Sequence, residues 1–482
     1  MEDHIDPGKG RRDGVVIPNV GFMEIDRPVD PLQILLVSGE EIIDNNDPVR
    51  PLRQKPAHQG RTNEPGAAGN KKIRHEFDLG NPVSVCHACV SETMNYLRGS
   101  NTLPTVQVTR QGADRLSSGH PWVFRSDINP ETEASPGALV RVLDYRQQTL
   151  GLAHYSSTSQ IALRFLGAEA DLAARIAAAQ RFREQVVTDS TAYRLVHGEA
   201  DGLPGLVIDR YGDYFAAQFL SQGMDRATPE TVAALEAQFS PQAIVARNDA
   251  AVRKLESLDR EVRILSGSLP EPVEIHLNGF RMEANLMHGQ KTGVFLDQRE
   301  NYLAAARYAR GTALDCFTST GGFALHLARV CERVEAVDSG AAVLAAAARN
   351  AENNGMGNID FKDADAFDVL ASHASARRMF DIVVLDPPAF AKSKSQVAGA
   401  IRGYKDINLR ALKLLGPGGV LVTCSCSHHM SEAMLLEVVA EASLQAGKTL
   451  RVLERRTQSQ DHPILLTVPE THYLKCLILQ VV

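Results

Sequence analysis

The sequence is poor in cysteine and nearly without tryptophan: seven and one in 482 residues. An odd number of scattered cysteines argues against a disulfide framework and for a reducing cytoplasm. No run of about 18 apolar residues occurs, so no membrane span is expected. Met1, Glu2, Asp3 and His4 lack the basic-then-apolar order of a secretory signal. Basic residues are outnumbered, 51 Lys and Arg against 58 Asp and Glu, for a net charge of −7. That balance argues against indiscriminate nucleic-acid binding, yet leaves room for a local basic patch, because distribution matters more than the total. What remains is ordinary for a soluble globular chain, with 44% hydrophobic and 23% charged residues, and the length implies two to four domains.

Residues 1–103 are rich in Pro, Gly, Asn and charge, with apolar runs as short as Ile34-Leu35-Leu36-Val37. They read as a disordered extension, and Met94, just before the first well-patterned segment, is an alternative start. Cys86-His87-Ala88-Cys89 is a lone CxxC, short of the four ligands a structural zinc needs, so no metal site is expected. Residues 104–183 turn β-like: Thr105–Thr109 and Leu139–Leu143 alternate, and Pro136-Gly137 marks a turn before the second run. Arg110, Arg115, Arg125, Arg141 and Arg164 make this stretch basic, and Trp122 sits within Gly119-His120-Pro121-Trp122-Val123-Phe124. A helix is expected from Ala168 to Val187. Residues 184–272 read as a small mixed α/β unit, with a hairpin around Tyr211-Gly212-Asp213, a helix from Thr228 to Gln238 and the apolar run Ala243-Ile244-Val245.

From residue 273 to 482, apolar strands alternate with helices. Strands are expected at Ala313–Cys316, Val334–Asp338, Ile359–Lys362, Asp381–Asp386 and Gly419–Cys424. Helices are expected at Gly322–Arg329, Gly340–Asn353, Tyr404–Leu415 and Ser431–Ala446, with a closing hairpin near Arg451–Arg455 and Tyr473–Val481. Buried strands separated by helices make a parallel sheet covered on both faces, and hence an α/β fold. Ligands of such sheets bind outside the carboxyl ends of the strands. Four strand ends in succession carry an acid: Asp315, Asp338, Asp365 and Asp386. A single Asp there is often a helix cap, but four in a row point to a ligand. Thr320 and Gly321 follow the first strand, where glycine lets backbone approach a ligand closely. Asp338 can hold both hydroxyls of a ribose, and Asp365 can reach an adenine amino group. A nicotinamide dinucleotide would want G-x-G-x-x-G after the first strand; Thr318-Ser319-Thr320-Gly321-Gly322 does not supply it.

The motifs D-C-F-T-S-T-G-G-F, D-P-P-A-F, R-G-Y-K-D-I-N and T-C-S-C-S together resemble those of the RlmI-type rRNA large-subunit methyltransferases. So do H-G-Q-K-T-G-V-F-L-D-Q-R-E-N, G-E-A-D-G-L-P-G-L-V-I-D-R and G-H-P-W-V-F. The resemblance covers about residues 104–482. It implies a Rossmann-like class I methyltransferase sheet over residues 273–482, preceded by the small α/β domain and, over residues 104–183, by a PUA-like RNA-binding domain. It also implies S-adenosylmethionine (SAM) as cofactor, bound by Gln298, Asp315, Phe317, Asp338, Asp365 and Asp386. The implied substrate is cytosine C5 of large-subunit rRNA.

Cytosine C5 is a poor nucleophile until a thiolate adds at C6, which calls for an activated cysteine. Cys424 and Cys426 end the fifth strand and, two residues apart, face the same way. Cys426 lies further out and fits the family pattern T-x-S-C-S. Cys316 is expected inside the cofactor loop, too near the methionine moiety for a base to stack. Asp386 can orient the cytosine amino group or take the C5 proton. Arg110, Trp122, Lys392, Arg402 and Lys405 are candidate RNA contacts, since phosphates recruit Lys and Arg. A guanine N2 or N7 methyltransferase on the same fold needs no cysteine nucleophile, and a non-catalytic ribosome-assembly protein would keep only the fold. In the D-P-P motif Ala389 precedes Phe390, which disfavours an exocyclic amine as target. Oligomeric state stays open, a homodimer included.

Overall fold

The computed structural model describes residues 103–129, 133–391 and 393–482. The expected N-terminal extension and its Cys86–Cys89 spacing lie outside the described residues. Among the described residues no helix is long and apolar enough to cross a membrane.

The first sheet holds β1 (Thr105–Gln107), β2 (Trp122–Phe124), β3 (Leu139–Leu143), β4 (Thr149–Tyr155) and β5 (Ile161–Gly167), in the order β1-β3-β4-β5-β2. Its core is Val106, Val123, Val140, Val142 and Leu163. The second sheet holds β6 (Ala192–His197), β7 (Leu206–Tyr211), β8 (Tyr214–Phe219), β9 (Ala243–Asn248) and β10 (Glu261–Gly267), in the order β10-β9-β8-β7-β6. The expected hairpin is present, with Tyr211 opposite Tyr214. One face of this sheet packs on the helices Leu172–Val186 and Thr228–Phe239 through Ile176, Leu195, Ile208, Phe215 and Leu235. The helix expected from Ala168 begins one residue after Asp171, whose carboxylate accepts from Ala174 N. Because it packs on the second sheet, a division at residue 183 would cut through it.

The other face of the second sheet meets the hairpin β11 (Val273–Leu277) and β12 (Phe280–Ala284). Val273, Ile275, Leu277, Phe280, Met282 and Ala284 alternate inward. Asn278 and Gly279 turn the chain with φ of +52° and +75°, the left-handed pair a two-residue hairpin requires.

The third sheet contains β13 (Thr312–Cys316), β14 (Arg333–Asp338), β15 (Ile359–Asp363), β16 (Phe380–Leu385), β17 (Leu415–Ser425), β18 (Leu450–Arg456) and β19 (Lys475–Val481). Their order is β15-β14-β13-β16-β17-β19-β18. The first five run parallel and β19 enters antiparallel between β17 and β18. Two apolar layers sandwich it, one around Ala313, Val334 and Val384, the other around Leu314, Val383, Ile407 and Leu421. The chain reverses between β14-β15 and β16-β17 on either side of β13, which opens a crevice at the strand ends.

Candidate active site

A cavity of about 860 Å³ lies over the carboxyl ends of β13, β14 and β16. Its floor is the loop after β13. Phe317, Ser319 and Gly321 adopt left-handed backbone with φ of +66°, +49° and +87°. A non-glycine residue in that region costs about 1–3 kcal/mol and persists only where its surroundings enforce it. Here Val337 O accepts from Phe317 N and Thr318 N at 2.9 and 3.0 Å. Asp338 Oδ2 accepts from Ser319 N at 2.9 Å, and Thr320 O accepts from Asn350 Nδ2 at 3.0 Å.

Asp338 lines the cavity. Its second oxygen accepts from Gly340 N at 3.0 Å, and each carboxylate oxygen keeps a further lone pair. Asp365 also lines the cavity, exposed, while its Oδ1 caps the helix Ala366–Ser375 by accepting from Phe367 N at 2.7 Å. Phe317 and Thr320 line the cavity, but Gly321 does not: it caps the helix Gly322–Ala328. Asp315 is fully buried beneath the loop and accepts from Thr318 Oγ1 at 2.6 Å. It reaches the site through Thr318, so the structure makes it a support of the loop and not part of the wall. Burial, with the charges of Asp386 and Asp338 adding to it, pushes its carboxyl up to about 7 against the Thr318 hydrogen bond.

Asp386, half-buried one residue past β16, accepts from Gln298 Nε2 at 2.9 Å. Gln298 Oε1 accepts from Asn301 Nδ2 at 2.7 Å, which fixes the direction of the amide. Burial and the neighbouring Asp297 push the Asp386 carboxyl up to about 7, opposed by Lys291 and the Gln298 hydrogen bond.

Among the described cysteines only Cys426 lines the cavity; it is half-buried, with Sγ 3.9 Å from Pro387 O. Cys424 faces Cys476 across β17 and β19 and is fully buried. That facing thiol, together with burial, raises the Cys424 thiol well above its ordinary range. Cys316 is not in the cofactor loop. It ends β13 inside the second apolar layer, where burial raises its thiol.

The structure corrects one RNA candidate. Trp122 is fully buried and donates from Nε1 to Glu199 Oε1 at 2.9 Å, so its ring offers nothing to a base. Several of the arginines counted as basic surface are also engaged. Arg164 pairs with Glu256 at 2.8 Å, Arg125 donates to Ser159 O, and Arg115 lies over Phe124. Arg110 is exposed beside Asp114, Arg402 is exposed on the helix Val397–Lys413, and Lys405 pairs with Glu441 at 2.7 Å. Lys392 lies outside the described residues. Wall residues missed in the sequence are Lys291, Asp297, Tyr302, Phe367 and His428. The first two stand in the H-G-Q-K stretch already matched to a family, which was the signal available.

The donor set suits SAM. An aromatic wall of Phe317, Phe367 and Phe390 can flank adenine, Asp338 offers a carboxylate to a ribose, and the raised carboxyl of Asp386 is relieved by a cation.

Residues 193–479 match the model of the S-adenosylmethionine-dependent methyltransferase family, and residues 106–167 match that of the PUA-like domain. The chain is 40% identical over 389 residues to ribosomal RNA large subunit methyltransferase I of Shewanella denitrificans, covering 77% of this chain and 98% of that one. It is 39% identical over 373 residues to the protein of the same name in Citrobacter koseri, covering 74% and 94%. The crystal structure of the methyltransferase SMU.776 complexed with SAH superposes with a TM-score of 0.68 at 20% identity, covering 79% of this chain and all of that one. A SAM-dependent methyltransferase structure from Streptococcus mutans gives a TM-score of 0.66. The seven-stranded sheet, the acidic strand ends and these relatives agree: the chain belongs to the ribosomal RNA large subunit methyltransferase I family of S-adenosylmethionine-dependent methyltransferases.

Proposed function

We propose that this chain methylates C5 of a cytosine in large-subunit rRNA, in the cytoplasm, through a covalent adduct with Cys426. The observation that carries the reading is that Cys426, alone among the described cysteines, lines the cavity, beside Asp386 and Pro387. The names of the relatives supply the RNA.

SAM, when bound, supplies a methyl group on a positively charged sulfur. Asp338 holds the ribose hydroxyls, Asp365 the adenine amino group, and Phe317, Thr320 and Gln298 complete the pocket. Gly321 and Asp315 hold the floor in shape. The Cys426 thiolate adds to C6 and pushes the C5–C6 electron pair towards the methyl group. C5 then carries both methyl and proton. Loss of that proton restores the double bond and expels the thiolate, so that one proton is released per methyl group transferred. Asp386, near neutral in its proton affinity, meets the edge of the base that carries the amino group, where its proton can be held or given up at working pH. Arg110 and Arg402, both exposed, reach phosphates, while the PUA-like sheet adds the remaining RNA surface.

Mass spectrometry of rRNA nucleosides from a strain lacking the gene tests the reading. Loss of one 5-methylcytidine is expected. Loss of a methylguanosine would move the target to guanine, and an unchanged profile would leave a non-catalytic role.

A further inference from the structure

The order β15-β14-β13-β16-β17 separates the two reacting partners. Asp338 and Asp365, which hold the adenosine in the reading given above, stand at the ends of β14 and β15, and Cys426 follows β17. A cytosine seated between them meets the methyl group on one face and the sulfur on the other. Entry of the methyl group therefore bends the C5–H bond towards the face that carries sulfur. The group that removes this proton must stand on the cysteine side of the cavity. Asp386, one residue past β16, meets the amino edge instead.

His428 stands on the cysteine side. Cys426 and His428 line the cavity, and Ser427 between them is fully buried. Ser427 Oγ accepts from Ala391 N at 3.3 Å and lies 3.2 Å from Tyr404 Oη, and Ser427 O accepts from Lys475 Nζ at 2.7 Å. These contacts hold Ser427 inward and leave both its neighbours on the cavity side. Among the described residues His428 makes no side-chain hydrogen bond; its ring meets that of His429, 5.6 Å away between centroids. Burial, and then the charges of His429 and Lys475, lower its pKa, while Glu470 opposes them. The ring is thus neutral near pH 7, with a lone pair free to accept a proton.

Glu470 is held in place by the first sheet. Its Oε2 lies 3.4 Å from His120 Nε2, with the two side chains 18% and 12% exposed. Thr467 Oγ1 donates to Gly119 O at 2.9 Å, and a Cβ at Gly119, where φ is +86°, would lie 3.1 Å from Thr467 Cγ2. Gly119 and His120 therefore seat the loop that carries Glu470. Its carboxylate is near enough to His428 for each to favour the charged form of the other.

We propose that His428 is the base that takes the C5 proton from the methylated adduct, and that the Glu470 carboxylate steadies the imidazolium so formed. The proposal rests on the cysteine-adduct reading given above. The electron pair of the C5–H bond becomes the second bond between C5 and C6. The C6–S bond breaks, its electrons leave on Cys426 as the thiolate, and the proton stays on His428 until solvent takes it. His428 is then a catalytic residue, and Glu470, which touches no reacting atom, is a positioning residue.

The test uses the full chain, methyl-labelled SAM and large-subunit rRNA from a strain lacking the gene. His428→Asn should transfer the methyl group but retain the RNA. The labelled protein–RNA band on denaturing electrophoresis should decay at least about a hundredfold more slowly than in wild type, the lower end of what a general base contributes. With 5-fluorocytidine RNA there is no C5 proton for a base to take, so wild type and His428→Asn should trap equal bands, which shows the variant folded and its cysteine competent. Equal fluorinated bands without the slowly decaying labelled band overturn the proposal. So does slow decay in His429→Asn in place of His428→Asn. If His428→Asn traps no fluorinated adduct, His428→Gln carries the comparison, and the same loss there overturns the assignment. A wild type that traps none overturns the cysteine-adduct reading itself. Glu470→Gln should move the acid limb of the release rate to lower pH, because the carboxylate that raises His428 is gone; an unmoved limb would detach Glu470 from the step.

Discussion

At the scale of single residues, the site is governed by carboxylates that differ in what surrounds them. Asp338 touches two backbone N–H groups and the cavity. Replacing it with Ala should cost about 1.5–3 kcal/mol of S-adenosylhomocysteine affinity, the range for hydrogen bonds to charged groups; an unchanged titration would contradict its role. Asp386 and Asp315 are pushed up to about 7, which sets a sign. A carboxyl raised on folding favours the protonated folded chain, so its contribution to stability is full at acid pH and is lost as pH rises towards 7. A cationic ligand favours the ionised form. SAM affinity should therefore rise between pH 6 and 8, and rise more than that of S-adenosylhomocysteine, which lacks the sulfonium. Parallel profiles for the two ligands would remove Asp386 from the sulfonium's surroundings. Trp122 makes the opposite kind of prediction. Trp122→Phe leaves the buried Glu199 without its donor and should cost about 1–3 kcal/mol of stability, read as a lower melting temperature, with RNA affinity unchanged. Weaker RNA binding by a variant that remains folded would restore the ring to the interface.

At the scale of elements, the parallel sheet was legible because strands buried on both faces read as apolar runs ending in Asp. The β11–β12 hairpin has an equally clear local signal, Asn278-Gly279 between alternating apolar residues. The helix expected from Tyr404 starts at Val397, and exposed Ala398, Gly399 and Arg402 dilute the apolar period that would mark its first turns in the sequence. Helices Arg299–Tyr308 and Ala366–Ser375 lie outside the elements expected from the sequence. What no local pattern could reveal is pairing at long range. Trp122 meets Glu199, and Asp297 meets Tyr473, across separations of 77 and 176 residues. A Trp in a basic segment reads as a stacking platform until its partner is known. Packing at the cofactor loop is similarly invisible in sequence. A Cβ added at Gly322 would lie 2.3 Å from the Tyr302 ring, so Gly322→Ala must displace a buried aromatic side chain. The cost should be about 1–3 kcal/mol, as for overpacking elsewhere, with SAM affinity reduced because Tyr302 lines the cavity. Normal stability and affinity would show that the ring yields freely.

At the scale of the whole molecule, the catalytic sheet does not own its core. Ala192, Tyr211, Ala216 and Val245 of the second sheet share one apolar cluster with β11, β12, β13 and β17. Buried polar groups cross the same boundary: Arg183 donates to Asp461 O at 2.8 Å, Arg194 N to Asp461 Oδ2 at 2.9 Å, and Arg299 lies 3.3 Å from Asp461 Oδ1. The first sheet is tied in through Arg164–Glu256 and by Thr467 Oγ1 donating to Gly119 O at 2.9 Å. Residues 273–482 alone would expose that apolar face and strand Asp461 among lost partners, so this fragment should not unfold cooperatively, whereas residues 103–482 should melt in one calorimetric transition. A well-folded 273–482 fragment would contradict the shared core. Arg164 of the first sheet is engaged in these contacts, whereas Arg110 stays exposed beside Asp114.

The covalent role of Cys426 is read out by the reaction of the intact chain with RNA. RNA carrying 5-fluorocytidine at the target, incubated with SAM, cannot lose fluorine as a proton, so the normal cysteine adduct is trapped and survives denaturing electrophoresis. Wild type, Cys316→Ala and Cys424→Ala should form the retarded band, and Cys426→Ala should not. A band from Cys426→Ala, or none from wild type, would contradict it.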